Sequence, residues 1–283
     1  MTRSTENETW LGIDFSGNHK MWSAGCGRSN VWISQIQRSR DANNHFVLCD
    51  LKRVQQLPGE DHPFSRLGRY LAQRKFAAAG IDAPFSVPAR FVPPGGHQSL
   101  LTEVALLEHA GRPFAGGKVF VNFLTQGCGL DTKKPLRLTE KEWSAHRVNI
   151  RSTLWAGHRG GAPMTAACLK LLYLSGCPLW PWTSQGPGLL VEAFPAGQLN
   201  HWRLPSEQYS KDVDTHFANR EKIVAGLESR LDLRRWRETL LSTADAIDAV
   251  VCALAAAAVT CKKLGTVPDM NVADREGWIA ISE

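Results

Sequence analysis

Several features missing from the chain narrow its possible functions. The seven cysteines (Cys26, Cys49, Cys128, Cys168, Cys177, Cys252 and Cys261) contain no C-x-x-C pair. Their scatter excludes a disulfide framework and any zinc site of recognisable ligand spacing. Cys168 and Cys252 fall in apolar runs and read as small core hydrophobes. The longest apolar run, Ala249 to Val259, has 11 residues, well short of the roughly 20 needed to span a bilayer. Met1 to Glu6 is polar where a secretory leader would be apolar. There is no G-x-x-x-x-G-K-[ST] phosphate loop, no internal repeat and no low-complexity tract. A reduced, cytoplasmic protein with no membrane association is the expectation.

The bulk composition is that of a globular chain with ample core, 43% hydrophobic and 21% charged. Its 283 residues suit one large domain or two, and nothing in the sequence forces a split. The net charge of +6 and pI near 9.0 permit a polyanionic partner without requiring one.

Thr9 to Gly17 reads as a buried first strand. Leu11, Ile13 and Phe15 alternate with Trp10, Gly12 and Asp14, so one face is apolar and a carboxylate stands at the strand end. His19 to Ala24 is expected to return as the second strand of a hairpin. A buried acid is costly unless something positive answers it, either a buried cation or a metal ion. Two further apolar runs end the same way: Phe76 to Asp82 before Ala83-Pro84, and Leu189 to Glu192 before Ala193-Phe194-Pro195. Val31–Gln37, His45–Leu51 and Gly277–Ile281 also read as strands. Helices are expected over 63–75, 99–110, 140–155, 163–174, 196–202, 219–231 and 233–241. The region from about 90 to 185 reads as a mainly helical elaboration on one α/β sheet, with a short strand at Val119 to Leu124. Its basic residues Lys133, Lys134, Arg137, Arg147, Arg151 and Arg159 could line a substrate groove, but a solvated helix face is the commoner reading for each, and none is assigned to a site. A last long helix opens near Ser242 and runs to about Lys263, with Ile247, Val250, Val251, Leu254 and Ala258 as its core stripe and alanines elsewhere that permit close approach to a sheet.

That helix carries Asp245 and Asp248, three residues apart and so on one face. If the three acid-ended strands are parallel neighbours, Asp14, Asp82 and Glu192 gather at the carboxyl edge of the sheet, where open α/β folds place their sites. Four or five carboxylates cannot all ionise together without cations. Oxygen ligands with no supporting Cys or His cluster point to Mg²⁺ or Mn²⁺, and a pair of such ions suits phosphodiester cleavage. Each acid also has a structural alternative. Asp245 follows Ser242 at capping-box spacing, Asp82 before Ala-Pro fits a turn, and Glu192 can pair with an arginine. Asp248 has no capping role to explain it.

Gly12-Ile13-Asp14, Gly80-Ile81-Asp82-Ala83-Pro84, Val191-Glu192-Ala193-Phe194-Pro195 and Asp245-Ala246-Ile247-Asp248-Ala249 together resemble a family of predicted ribonuclease H-like nucleases, a domain of unknown function. The resemblance spans residue 9 to about 281. It implies a ribonuclease H-like mixed sheet with flanking helices and a two-metal nuclease site acting on nucleic acid. Asp14 would bridge the metals, Asp82 or Glu192 would complete one site, and Asp248 with Asp245 the other. The third motif departs from the family in one place, with Phe194 where Tyr or His is more usual before the proline. Two other functions share such a core. One is a phosphotransferase or ATPase of the actin and sugar-kinase architecture, in which Ser16 of Asp14-Phe15-Ser16-Gly17 would touch a phosphate. The other is a non-catalytic nucleic-acid-binding module, against which the retained acids argue, since a polyanion binder gains nothing from buried carboxylates.

Overall fold

The computed structural model describes residues 8–39, 46–130, 134–157 and 160–283. In chain order its strands are β1 (Thr9–Ile13), β2 (Trp32–Arg38), β3 (Phe46–Arg53), β4 (Ala78–Ile81), β5 (Leu189–Glu192) and β6 (Leu231–Asp232). Helix α1 (Pro63–Ala72) precedes β4. Helices α2 (Gly96–Ala105), α3 (Gly117–Leu124), α4 (Leu138–Ala145) and α5 (Ala162–Ser175) lie between β4 and β5. After β5 come α6 (Pro195–His201), α7 (Asp214–Glu228), α8 (Arg237–Ser242), α9 (Ala244–Cys261) and α10 (Met270–Glu276). The architecture is mixed α/β, built on one six-stranded sheet of order β5-β4-β1-β2-β3-β6.

β1, β2 and β3 form an antiparallel meander, while β4 and β5 run parallel to β1. The carboxyl ends of β1, β4 and β5 therefore share one edge. Each face of the sheet buries its own apolar layer. Leu11, Ile13, Ala79, Ile81 and Leu190 face α1 and α5 in one core. Trp10, Ala78, Leu189 and Val191 face α9 in the other. α9 lies across β1, β2 and β4. By length and composition this 18-residue helix could cross a membrane, but 72% of it is buried inside the fold, as befits a core helix.

The structure corrects several sequence expectations. His19–Trp22 is a 3₁₀ turn rather than a returning strand. Trp22 is drawn into the core beneath Phe15, with ring centroids 5.1 Å apart, and its indole N–H donates to the Ser16 carbonyl at 2.8 Å. The antiparallel partner of β1 is β2. Val119–Leu124 belongs to helix α3, where Gly117, Phe120 and Val121 share the buried face and Val119 points outward. Its β-branched content favoured a strand on propensity alone. The helix expected to reach Trp155 stops at Ala145, ended by Arg147 in the left-handed region (φ 61°). Gly277–Ile281 makes only an isolated parallel bridge, Ala280 to Ala193, rather than a full strand.

Candidate metal centre

The backbone ladder continues one step past the ends of β1 and β4. The Asp14 N–H donates to Trp32 O at 3.0 Å and the Asp82 N–H to Ile13 O at 2.9 Å. Since Ile13 pairs with Ile81, the two aspartates stand side by side and project to the α9 face, opposite to the isoleucines before them. Two residues earlier on that same face are Gly12 and Gly80. A Cβ at Gly12 would collide with the Ala249 carbonyl, and one at Gly80 with the Cys252 carbonyl. Bare backbone at both positions lets α9 rest on the sheet. Ser34 pins it there, donating its hydroxyl to Ala249 O at 2.8 Å. This close seating brings Asp248 to Asp14 and Asp82, and one carboxylate oxygen from each of the three lies within 4.8 Å of the others.

The electrostatics of this group are unfavourable without a cation. At an effective dielectric near 20, two carboxylates at this separation repel by about 3 kcal/mol. Burial, then the charges of Asp248, Asp245 and Asp82, push the Asp14 carboxyl well above the usual range. Burial raises Asp82 to about 7, with Glu192 adding to the effect and Arg151 opposing it. Asp248 is raised by burial and by Asp82, although the Tyr209 hydroxyl, donating to its Oδ1 at 2.8 Å, favours the ionised form. Among the described residues no ion pair reaches any of the three. The donor set is hard oxygen. Cys252, one turn beyond Asp248, is held in its thiol form chiefly by burial and offers no soft ligand. Three convergent, unneutralised carboxylates fit a hard divalent cation.

Glu192 reaches the same edge with a different partner. It pairs in register with Ile81 rather than with Asp82, so its side chain leaves the opposite face of the sheet. There it meets Arg137, whose Nη1 donates to Oε2 at 2.8 Å and whose Nη2 pairs with Oε1. Glu192 also accepts the Phe85 N–H at 2.9 Å. Arg137 further engages Glu140 through Nε at 2.9 Å. Burial opposes the charge of Arg137, but Glu192 and Glu140 more than offset it and raise its pKa. Glu192 lines the carboxylate cavity without joining the three-acid group, and the arginine alternative describes its contacts.

Asp245 sits beside the group and adds to the repulsion on Asp14 and Asp248. The capping box does not form, because Ser242 ends α8 and the N-cap of α9 is Thr243. The Thr243 hydroxyl instead donates to Asp245 Oδ2 at 3.5 Å. Ser16 is buried at the rim of a neighbouring cavity, where its hydroxyl accepts the Asn18 N–H at 3.2 Å. Of the basic residues, Arg151 is exposed and lines the carboxylate cavity, Lys134 and Arg147 are exposed, and Lys133 and Arg159 lie outside the described residues. Sequence reasoning missed Tyr209 altogether. It stands in a polar connection 39 residues before its partner Asp248.

The carboxylates open into a cavity of about 350 Å³, lined also by Asn30, Asn149, Arg151 and Tyr209. No curated protein and no solved structure matches the chain. A family match over residues 12–272, covering the motifs of Asp14, Asp82, Glu192 and Asp248, shows that the chain belongs to DUF429, a protein family of unknown function.

Proposed function

We propose that the chain is a metal-dependent hydrolase of ribonuclease H-like architecture that cleaves phosphodiester bonds in nucleic acid with Mg²⁺ or Mn²⁺. The observation carrying this reading is the convergence of Asp14, Asp82 and Asp248 within 4.8 Å, with no ion pair to any of the three among the described residues and only the more distant Arg151 opposing the charge of Asp82. The antiparallel meander followed by two parallel strands supports the architectural part. Asp245, adjacent on α9, is the donor that a second ion would require.

Bound ions of this kind activate water and stabilise charge on a phosphoryl oxygen. The protein's own contribution is positional. Asp14 and Asp82 are held by ladder hydrogen bonds, Asp248 by the Tyr209 hydroxyl. Arg151 at the cavity wall supplies positive charge toward a bound phosphate. The test is a panel of labelled DNA and RNA, single-stranded and duplex, incubated with Mg²⁺ or Mn²⁺. Cleavage is expected from the native chain and not from Asp14→Asn or Asp248→Asn. The absence of both cleavage and a metal-dependent thermal shift would reject the proposal, and metal-dependent ATP hydrolysis without cleavage would replace it with a phosphotransferase.

A further inference from the structure

Beside the carboxylate cavity lies a larger one of about 620 Å³, sharing Phe15, Asn30, Arg151 and Met164 with it. Its lining is of opposite character. Among the described residues it contains Arg112, Arg151 and His19 but no Asp or Glu. Much of the remainder is glycine, including Gly17, Gly116 and Gly117, so backbone rather than side chain meets whatever enters. Arg112 and Arg151 are exposed and make no ion pair among the described residues. Both cations thus remain available to a ligand, in a molecule that elsewhere matches Arg137, Arg69 and Arg237 with acids.

We propose that this cavity binds a phosphate of a nucleic-acid strand next to the phosphate placed at the carboxylates, with Arg112 as its principal contact and Arg151 shared between the two. The assignment rests on the phosphodiester reading above. The physical reason is charge separation. A polyanion is repelled by three carboxylates until metal neutralises them, and an adjoining acid-free cavity with two unpaired arginines gives the strand a favourable anchor. Arg151 already acts across the boundary, opposing the rise in the Asp82 pKa. Arg112 is not among the charges that influence Asp14, Asp82 or Asp248, which makes it the cleaner residue to change.

The experiment measures binding of fluorescent single-stranded oligonucleotides of increasing length to the full chain by polarisation, in Ca²⁺ to suppress turnover, across a salt series. Arg112→Glu is expected to weaken binding of the longer oligonucleotides about tenfold and to lower the slope of log affinity against log salt by about 1. The Mn²⁺-induced thermal shift should be unchanged. Arg235→Glu, at an exposed arginine remote from both cavities in the chain, should alter binding less than twofold. Equal affinity of Arg112→Glu and the native chain, or equal weakening by Arg235→Glu, would overturn the proposal. Inorganic phosphate provides the separate arm. If the native chain bound no oligonucleotide, yet phosphate stabilised it and Arg112→Glu abolished that effect, the strand proposal would be overturned in favour of a free-phosphate site. A native chain that bound oligonucleotides through Arg112 but showed neither cleavage nor a metal-dependent thermal shift would lose the hydrolase reading and keep the strand contact.

Discussion

Replacing Asp82 by Asn removes one of three mutually repelling carboxylates while preserving its shape. The metal-free variant should therefore be more stable than the native chain by about 1–2 kcal/mol, and its melting temperature should no longer respond to Mn²⁺. Thermal melts with and without the ion check both halves. A lower melting temperature in the metal-free variant would mean that the three acids are already neutralised within the protein. Tyr209→Phe keeps the ring, whose backbone carbonyl is anchored by Arg220 Nη1 at 2.7 Å, but deletes the hydroxyl donated to Asp248. Metal affinity should fall about tenfold, the usual cost of losing a hydrogen bond to a ligand. Calorimetry should find a smaller deficit at pH 8.5 than at pH 7, because the lost donor raises the pKa of Asp248. The acids were legible in the sequence because a carboxylate ending an apolar run is costly and therefore conspicuous. Tyr209 carries no such signal, since a tyrosine in a polar connection costs nothing until the fold brings it to its partner.

At the scale of elements, the seating of α9 on β1 and β4 decides whether a site exists. Gly80→Ala drives a methyl into the Cys252 carbonyl, which no side-chain rotation can relieve. Overpacking of this kind costs about 1–3 kcal/mol. The variant should lose metal-induced stabilisation more completely than global stability, because displacing α9 separates Asp248 from Asp14 and Asp82. Chemical denaturation and metal titration of one preparation measure the two effects side by side, and undiminished metal affinity would sink the argument. Most elements were legible from periodicity, α9 and the acid-ended strands most clearly. The failures have local causes. Trp22 turned inward for the sake of a core beneath Phe15, and in α3 packing against α5 overrode the β-branched composition.

At the scale of the whole molecule the described acids around the cavity divide into two sets, Glu192 and Glu140 around Arg137, and Asp14, Asp82 and Asp248 with no such partner. Only the second set should make stability depend on metal and on pH near neutrality. Asp82 has a pKa of about 7 in the fold, against 3.8 for an unperturbed aspartate. Well below pH 4 both folded and unfolded chains carry its proton. As pH rises from about 4 to 7 the unfolded chain releases the proton and the metal-free fold retains it, so stability falls by roughly 3 kcal/mol over that window. Saturating Mn²⁺ replaces the proton and should flatten the decline, as melts from pH 4 to 8 would show. A decline equally steep with metal present would place the titrating groups elsewhere. This division could not be read from the sequence, because it depends on which face of the sheet each acid leaves, and strand register is a long-range property of short, similar apolar runs.

The register of β5 also acts as a parity rule for the Glu192 segment. Glu192 stands opposite Ile81, which leaves Ala193, whose N–H donates to Ile81 O at 3.0 Å, level with Asp82 and on the α9 side. Ala193 packs with Cys252 and Ala255, filling the place a carboxylate from the third strand would need. Deleting one residue from the connection at 186–188 would exchange the two faces along β5, leaving Arg137 with Glu140 alone and forcing Glu192 against α9. Among changes in length at this edge of the sheet, only those that preserve parity keep the ion pair on one side and the metal ligands on the other.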